Sequence, residues 1–541
     1  MVKKIFILLS TITLLSGCNL TASKSVSSEV TSSLTSSSEE LEDLEIRAVT
    51  ITRIYENKEI DIINKLDNET FTYSYNGDAI RIEDNKVIGL RGNTKTTVTV
   101  TSSLGRTGAF NATVRNTEYK STHSSAESSE GWFNEVNIDK ISSMTSTFVN
   151  GMDISSMKQL YDNGARFYDK NGNETALPLL LKDNGVNYIR LRLWVEPYDT
   201  WTENGETKTF AYGGGNCTTE NVLWMAKECK AVGLKVLLNF HYSDYWTDPS
   251  NQIIPKKWKD ITSVETLSNE VYKYTKETLE LFKSNNALPD SVALGNEIYN
   301  GIFAHNPGTK ITKEATGDAP YYHSDRTERT NGTQAKYDHT DSKTSLNNSN
   351  LRTYLKAGIR ACREVDSSIQ IMVHFVRGLS AYNDTIKFFN VLSDLDIDIY
   401  AVSAYSYYHF SNISTLRSGM QKISQAFPNK KIAIAETSYG FTFETDALAV
   451  NTFTPSGTCS PVSGYPASVQ GQASMIRDTT EVVSNLSNGW GVFYWEGAWT
   501  PVKNSGWADA ASKASWANQA LVSYNGKALA SLEVYNKMKG I

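Results

Sequence analysis

Two glutamates stand at the ends of apolar segments that have the composition of core strands. Glu436 closes the run KIAIAE, and Glu297 follows the run VALGN. Neither has a lysine at the spacing of a helical ion pair, although a solvated or salt-bridged loop glutamate is the simple alternative for each one alone. Two carboxyl groups on one surface suit a mechanism in which one is the general acid and base and the other is the nucleophile.

Eight apolar segments are predicted to be the strands that position these glutamates. Helix-like segments alternate with them from about residue 145 onward, which favours an α/β fold of the (β/α)8 TIM barrel type. A doubly wound sheet is the alternative, but no Gly-rich phosphate loop follows the first strand. Because active sites of barrels lie at the C-terminal strand ends, Glu297 and Glu436 would share one rim. The predicted strands are TFVNGMDIS, YIRLRLWV, KVLLNFHYS, SVALGNEI, IQIMVHF, IDIYAVSAYS, KIAIAETSYG and GVFYWEGAW.

The region before the barrel, residues 45–117, has a different texture. Short alternating segments such as AIRIED and TKTTVTVTSS are separated by Asn, Gly and Asp turns, which predicts a small all-β domain. Its end, VIGLRGNTKTTVTVTSSLGRTGAFNATV, resembles bacterial Ig-like modules of surface proteins. A polar linker, 118–144, leads to the barrel domain, 145–541. We find no candidate catalytic group in the first 130 residues and predict that they are dispensable for the chemistry of the two glutamates.

The N-terminus predicts export. Residues 1–17 carry two lysines, a short apolar stretch and Leu-Ser-Gly before Cys18, which resembles a lipoprotein signal with cleavage before Cys18 and lipidation of its thiol. An ordinary secretory signal is the alternative. Residues 18–44 are rich in Ser, Thr and Glu, a composition that predicts an unfolded linker acting as a tether. We therefore expect an extracellular, cell-surface lipoprotein held to the membrane by its lipid anchor.

Composition narrows the class of partner. The chain has 53 Lys plus Arg, 59 Asp plus Glu and a net charge of -6, and it shows no basic stripe for nucleic acid. Its 11 Trp and 28 Tyr would suit stacking on sugar rings, although core packing explains most of them. The remaining cysteines lack metal-ligand spacing and leave one or two disulfides open: Cys217, Cys229, Cys362 and Cys459. We expect a monomer.

Eight motifs occur in order between Gly151 and about Met538: GMDISSMKQLYDNGARFYDKNG, LKDNGVNYIRLRLWVEP, GLKVLLNFHYSDYWTDPSNQIIPKKW, ALGNEIYNGI, IAIAETSYGFT, SVQGQ, GVFYWEGAW and SWANQALVSYNGKALASLEVY. Together they resemble glycoside hydrolase family 53, the endo-β-1,4-galactanases of a large clan of retaining (β/α)8 glycosidases. The Asn-Glu pair is shared across the clan, whereas FHYSDYWTDP with RFYDKNG narrows the resemblance to the family. It implies hydrolysis of β-1,4-galactan, as in type I arabinogalactan, with no required cofactor.

The resemblance also implies roles for single residues. Glu297 matches the general acid/base, and Glu436 matches the nucleophile that forms a glycosyl-enzyme intermediate. Asn296 is expected to hydrogen-bond the sugar 2-hydroxyl. Tyr405, after the sixth strand, is expected to hydrogen-bond Glu436.

One arginine of the second strand is expected to support the ionised nucleophile. Arg190, Arg192 and Trp194 share one face by period-two alternation, and Arg192 lies nearer the C-terminal end than Arg190. We therefore predict that Arg192 supports Glu436, with a structural ion pair inside the barrel as the alternative. The remaining predicted substrate-binding residues are His241, Tyr242, Asp244, Trp246, Trp495 and Trp499, with Glu496 as a third rim carboxylate that binds substrate or tunes a pKa.

The chain departs from the family pattern in two places. Ala404, Ser406, Gly440 and Gly497 stand where relatives tend to carry aromatic residues or prolines, which puts the width of the cleft in question. A long polar insertion, 304–350, reads as a loop that could shape the cleft. Its Asp338 and Asp341 leave a structural calcium ion open, although no spaced carboxylate loop is visible.

Three classes of function fit these observations. The first is a secreted endo-β-1,4-galactanase, and the second is a glycosidase of the same clan that acts on a β-glucan, mannan or xylan. The third is a non-catalytic sugar-binding surface protein on a degenerate barrel. The presence of both Glu297 and Glu436 within their local motifs argues against the third.

Overall fold

The computed structural model describes residues 41–120, 131–211, 217–307, 310–313, 320–323, 349–503, 505 and 514–541. The predicted signal peptide, Cys18, Asp338 and Asp341 lie outside the described residues. Residues from Leu44 to Ile541 form one compact unit. In the described part of the chain, no helix is both long and apolar enough to span a bilayer.

All eight predicted barrel strands are present, and they close a parallel barrel in chain order. Each pairs with the next, and the eighth pairs with the first. The predicted TIM barrel is therefore confirmed, and the open doubly wound sheet is excluded. The first to eighth strands are Val149–Asp153, Tyr188–Leu193, Lys235–Phe240, Ser291–Leu294, Gln370–Phe375, Ile399–Ser403, Lys431–Thr437 and Gly489–Tyr494.

Helices follow the strands and cover the barrel. Several begin at a capping side chain that accepts a backbone N–H of the first turn: Thr218, Ser263, Asn412 and Ser468. The helices are Met157–Asp162, Leu177–Asp183, Thr219–Ala231, Val264–Ser284, Ser349–Val365, Tyr382–Val391, Ile413–Ala426, Val469–Ser484 and Val534–Lys539. Two antiparallel strand pairs lie outside the barrel sheet, Tyr198–Glu203 with Glu206–Ala211 and Lys310–Lys313 with Pro320–His323.

The inside of the barrel changes from apolar to polar along the strands. Tyr188 packs in an apolar cluster with Leu237 and Phe493. A Cβ at position 151 would lie 2.2 Å from the Phe493 ring, which explains the glycine there. Because alternate residues of a strand share a face, Arg190 and Arg192 point into the same interior above Tyr188. The C-terminal half of the barrel therefore holds charged side chains out of contact with bulk water.

Residues 49–114 form the expected all-β region. A four-stranded sheet and a three-stranded sheet enclose a core that includes Ile51, Val87, Val98 and Phe110. In the strand Thr94–Ser102 buried and exposed residues alternate, as the sequence predicts. The four-stranded sheet contains Val49–Ile51, Thr107–Val114, Thr94–Ser102 and Phe71–Ser74, and the three-stranded sheet contains Asn57–Glu59, Lys86–Gly89 and Ile80–Glu83.

The β-sandwich packs directly on the barrel domain. Ala176 and Leu179, which belong to the barrel chain segment, are part of the sandwich core. Arg81 of the sandwich donates two hydrogen bonds of 2.9 Å to the buried carboxylate of Glu228. This contact was not predicted from the sequence.

The cysteines in the described residues are buried free thiols. Burial raises the pKa of the Cys217 thiol to about 12, so that thiol is neutral at physiological pH. The disulfides that the sequence left open therefore do not form among Cys217, Cys229, Cys362 and Cys459.

Candidate active site

Both glutamates line one pocket of about 350 Å³ at the C-terminal end of the barrel. Glu297 follows the fourth strand in the left-handed region, with φ of 49°, a conformation that costs energy for a residue with a side chain. Glu436 lies in the seventh strand opposite Ser403 of the sixth, next to a break in strand register. The prediction that the two residues share a rim is confirmed.

Glu436 is held by two donors. Nη2 of Arg190 donates to its Oε1 over 2.8 Å, and the Tyr405 hydroxyl donates to its Oε2 over 2.9 Å. The predicted Tyr405 contact is thus confirmed. Burial raises the pKa of Glu436, while the Arg190 charge and the Tyr405 hydrogen bond act against that rise. Both donors favour the ionised carboxylate.

Arg192 supports Glu436 only through its charge, which lowers the pKa of Glu436 less than the Arg190 charge does, and its side chain forms the ion pairs inside the barrel that the sequence left as the alternative. Nη2 of Arg192 donates to Glu496 over 2.5 Å, and Nη1 donates to Asp153 over 3.2 Å. Arg190, two residues nearer the start of the strand, takes the predicted place. Barrel strands are tilted and staggered, so the residue nearest one strand end need not be level with the end of a distant strand.

Glu297 has a different environment. Its Oε1 lies 2.5 Å from Oγ of the buried Ser403. Burial, reinforced by the negative charge of Glu436, raises the pKa of Glu297 well above its usual range. The surroundings of Glu297 therefore favour its neutral acid form, whereas Arg190 and Tyr405 favour the carboxylate of Glu436.

Asn296 is locked by its neighbours. Its Oδ1 accepts from Arg190 over 2.7 Å and from Nδ2 of Asn239 over 3.0 Å, and its Nδ2 donates to the carbonyl of Thr247 over 2.8 Å. The side chain lies at the pocket wall, and its predicted contact with a sugar hydroxyl stays a prediction.

The aromatic wall is built around Trp246. The Arg192 guanidinium lies 4.2 Å from one face of its ring, and Trp499 is stacked nearly parallel to it, with ring centroids 6.4 Å apart. Trp495 lies beside it with ring centroids 6.0 Å apart. The predicted substrate-binding residues that line the pocket are Arg192, His241, Trp246, Asn296, Tyr405 and Trp495.

Four residues predicted to bind substrate lie behind this wall, outside the lining of the pocket as the described residues form it. Tyr242 is buried and hydrogen-bonds Thr275 of a covering helix. Asp244 is also buried, and burial raises its pKa to about 6 although it accepts the backbone N–H groups of Glu196 and Lys256.

The other two are Trp499 and Glu496. Trp499 is fully buried behind Trp246. Glu496 accepts from Arg192 and Ser156, and burial raises its pKa to about 7. Both residues therefore support the wall from behind.

Sequence reasoning missed two groups of residues. His374, Ser403 and Asp153 sit inside predicted strands, and the rule applied to the two glutamates would have found them too. The second group comes from loops, where no periodic signal exists. Its members in the pocket lining are Thr247, Asp248, Pro249, Val376, Tyr408, His409 and Trp516.

A larger cavity, of about 1110 Å³, opens at the opposite end of the barrel. It is bordered by the first residues of several strands, among them Tyr188, Lys235 and Lys431. Residues at that end of a TIM barrel serve stability, and active sites lie at the C-terminal end. The smaller pocket with the two glutamates is therefore the candidate active site.

Among the described residues, no cluster of three or more His, Cys, Asp or Glu has the arrangement of a metal site. The calcium that the sequence left open at Asp338 and Asp341 falls outside those residues.

Comparisons with known proteins agree with this geometry. The model of glycosyl hydrolase family 53 matches residues 149–535. The endo-beta-1,4-galactanase of Bacillus subtilis (strain 168) is 32% identical over 429 residues, which cover 74% of this chain and 87% of that protein. The arabinogalactan endo-beta-1,4-galactanase of Thermothelomyces thermophilus is 28% identical over 398 residues, or 72% of this chain and 98% of that protein. The solved structure of the Ignisphaera aggregans GH53 catalytic domain matches with a TM-score of 0.61 and 34% identity, over 74% of this chain and 99% of that chain.

Proposed function

This chain belongs to glycosyl hydrolase family 53, and from that premise we propose that it is an endo-β-1,4-galactanase. Its substrate would be the internal β-1,4-galactosidic bonds of galactan and type I arabinogalactan. The names of its relatives from Bacillus subtilis and Thermothelomyces thermophilus support this substrate class. The observation that carries the proposal is the pair of carboxyl groups in one pocket, where burial favours the neutral form of Glu297 while Arg190 and Tyr405 favour the charged form of Glu436.

The reaction proceeds in two displacements. The Glu436 carboxylate attacks the anomeric carbon while Glu297 gives its proton to the leaving glycosidic oxygen, and a covalent glycosyl-enzyme forms. A water molecule then gives a proton to Glu297 and attacks the same carbon, which releases Glu436. Two inversions leave the product with the β configuration of the substrate.

Arg190 and Tyr405 organise the nucleophile. Their hydrogen bonds keep Glu436 ionised and aimed, so little reorganisation is needed at the moment of attack. We propose that Asn296, held beside them by Arg190, binds the 2-hydroxyl of the sugar, an interaction that strengthens toward the transition state.

Substrate class is tested by digestion of linear β-1,4-galactan beside a β-glucan, a mannan and a xylan. We expect rapid release of galacto-oligosaccharides and little product from the other polymers. NMR of the first products should show the β anomer before mutarotation. Preferred cleavage of another glycan would establish the second candidate, a clan member of different specificity, and binding without cleavage would establish the third.

The localisation is proposed from the sequence. Cleavage before Cys18 and lipidation of its thiol would hold the enzyme on the outer cell surface, with the membrane as partner through the lipid alone. Replacement Cys18→Ser should move the protein from the membrane fraction to the medium and abolish labelling with a radioactive fatty acid. Retention in the membrane fraction would contradict the anchor.

A further inference from the structure

A continuous line of buried hydrogen bonds joins the two glutamates beneath the pocket. Neighbouring polar atoms along it lie between 2.5 and 3.1 Å apart. The direction of each bond can be worked out, because some of the groups can only donate and others can only accept. The groups, in order, are Glu297, Ser403, His374, Asn296, Arg190 and Glu436.

Asn296 fixes the first direction. Its Nδ2 lies 2.8 Å from the carbonyl of Thr247, which can only accept, and its Oδ1 lies 2.7 Å from Arg190, which can only donate. Oδ1 is therefore an acceptor. The same oxygen also accepts from Nδ2 of Asn239 over 3.0 Å. Nδ1 of His374 lies 3.1 Å from it, and a bare nitrogen there would set two lone pairs against each other, so we assign the hydrogen of His374 to Nδ1.

His374 fixes the second direction. It is fully buried, and burial together with the Arg190 charge holds its pKa well below the usual range. A neutral imidazole has one N–H, here on Nδ1, so Nε2 can only accept. Oγ of Ser403 lies 2.8 Å from Nε2, and the Ser403 hydroxyl therefore gives its only hydrogen to His374.

The remaining contact depends on the protonation state of Glu297. With its hydrogen committed to His374, Ser403 can only accept from Glu297, which requires Glu297 to be a neutral acid. The 2.5 Å separation of Ser403 Oγ and Glu297 Oε1 fits a hydrogen bond in either direction. When Glu297 is ionised, Ser403 must turn its hydrogen toward the carboxylate. The buried Nε2 of His374 then loses its donor, which is costly.

We propose that Ser403 and His374 are positioning residues that keep the catalytic proton on Glu297 in the free enzyme. They allow Glu297 to give up this proton during the reaction. The inference rests on the proposed function, in which Glu297 is the acid. In the free enzyme the proton-bearing oxygen of Glu297 donates to Ser403. A half-turn of the carboxyl group brings that O–H to the glycosidic oxygen, and Ser403 then turns from His374 to donate to the carboxylate that forms. The proton goes from Glu297 to the leaving oxygen, and Ser403 exchanges its hydrogen bond to His374 for one to the Glu297 carboxylate.

Other charges also face these groups. Glu436, Asp248 and Arg190 act on Glu297, and Arg190 and His409 act on His374. A test must therefore change the hydrogen-bond switch and leave these charges in place.

The replacement His374→Gln does this. A glutamine amide can rotate to accept from Ser403 or to donate to it, so ionisation of Glu297 no longer leaves a buried acceptor without a donor. The pKa of Glu297 should fall, and the alkaline limb of the kcat/KM profile should move to lower pH by about one unit. The acid limb, set by Glu436, should stay in place. If kcat falls at every pH while the alkaline limb does not move, the role of His374 is only structural and the inference is overturned.

Ser403→Thr is the matched control, because it keeps the hydroxyl and should keep the alkaline limb of the native enzyme.

A second measurement needs no variant and no galactan: the ¹⁵N spectrum of histidine-labelled protein should contain one neutral Nδ1–H imidazole that persists to low pH. An Nε2–H tautomer at His374 would overturn the inference. The titration of Glu297, followed in the same variants by its carboxyl infrared band, separates this result from substrate class. A shift without galactan cleavage would refute only the proposed substrate, and cleavage without a shift would refute only the switch.

Discussion

Glu297 and Glu436 are the same side chain in two different surroundings. The carboxylate of Glu436 is stabilised by a cation and a phenol, whereas Glu297 meets a serine and the charge of its partner. Environment rather than residue type therefore decides which of the two is ionised at neutral pH. Because of this asymmetry, replacing Glu436 and replacing Glu297 should have different consequences for catalysis.

Replacing Glu436 with Gln should remove the nucleophile and lower turnover by several orders of magnitude on every substrate. A better leaving group cannot restore the rate, because the first displacement has lost its attacking atom. Steady-state rates on galactan and on an activated aryl galactoside test this, with circular dichroism as the check on folding. Substantial activity on the aryl substrate would mean that Glu436 is not the nucleophile.

Replacing Glu297 with Ala should affect substrates according to their leaving group. Polymer cleavage should collapse, while an activated aryl galactoside still forms the intermediate because its leaving group needs no proton. Added azide should speed turnover and give the β-galactosyl azide, since Glu436 still performs the first displacement. An α-azide from the Glu436 variant in place of this result would mean that the two roles are exchanged.

Arg190 should control the acid limb of the pH profile. Its positive charge lowers the pKa of Glu436, so Arg190→Met should raise that pKa and move the acid limb of kcat/KM to higher pH. Arg192→Met is the matched comparison from the same strand, because its direct contacts are with Asp153 and Glu496. The comparison fails if the Arg192 variant shifts the acid limb more than the Arg190 variant does.

At the scale of elements, the strands were predictable and their register was not. Eight apolar runs between helical segments were enough to find the barrel and the strand ends that carry Glu297 and Glu436. Which of Arg190 and Arg192 meets Glu436 depends on how tilted strands stagger around a closed sheet, and alternation within one strand does not contain that information. The sequence therefore predicts which strand contributes a residue to the site, but it does not predict which neighbouring side chain that residue contacts.

The loop after the third strand shows a second limit. Alternation holds through His241, which lines the pocket, and then Tyr242 turns into the left-handed region with φ of 51°. Beyond such a turn, spacing along the chain no longer tells inside from outside. Tyr242 and Asp244 are consequently buried behind the aromatic wall, whereas Trp246 lines the pocket.

Trp246 should serve mainly to bind substrate. The Arg192 guanidinium lies over its ring and Trp499 stacks nearly parallel to it, so the part of the ring that lines the pocket is a rigid apolar surface that can bind a sugar at little entropic cost. Trp246→Ala should raise KM for galacto-oligosaccharides by about tenfold or more, with a smaller loss in kcat. A large loss of kcat at unchanged KM would place Trp246 in the transition state instead.

At the scale of the whole molecule, the β-sandwich and the barrel share an interface. Tyr55 packs edge-on against Trp224 and Tyr161, at centroid distances of 5.4 and 5.0 Å. Arg81 covers Glu228, whose side chain is 8% exposed. The prediction that the first 130 residues are dispensable for hydrolysis concerned chemistry alone, and these contacts add a contribution to stability.

A chain that begins at Trp132 should therefore keep its site and lose thermal stability. It would leave Glu228 in the barrel without its arginine and expose Leu179, both of which destabilise the folded state. We expect native kcat/KM on galactan at low temperature and a Tm lower by several degrees.

The single replacement Arg81→Met should also lower Tm, because it breaks an ion pair that is largely shielded from water. Arg47→Met is the control: its ion pair with Asp61 is 70% and 54% exposed, so its loss should hardly change Tm. Equal effects of Arg81 and Arg47 would mean that the interface contributes little, and a folded truncated chain without activity would mean that the sandwich helps to build the site.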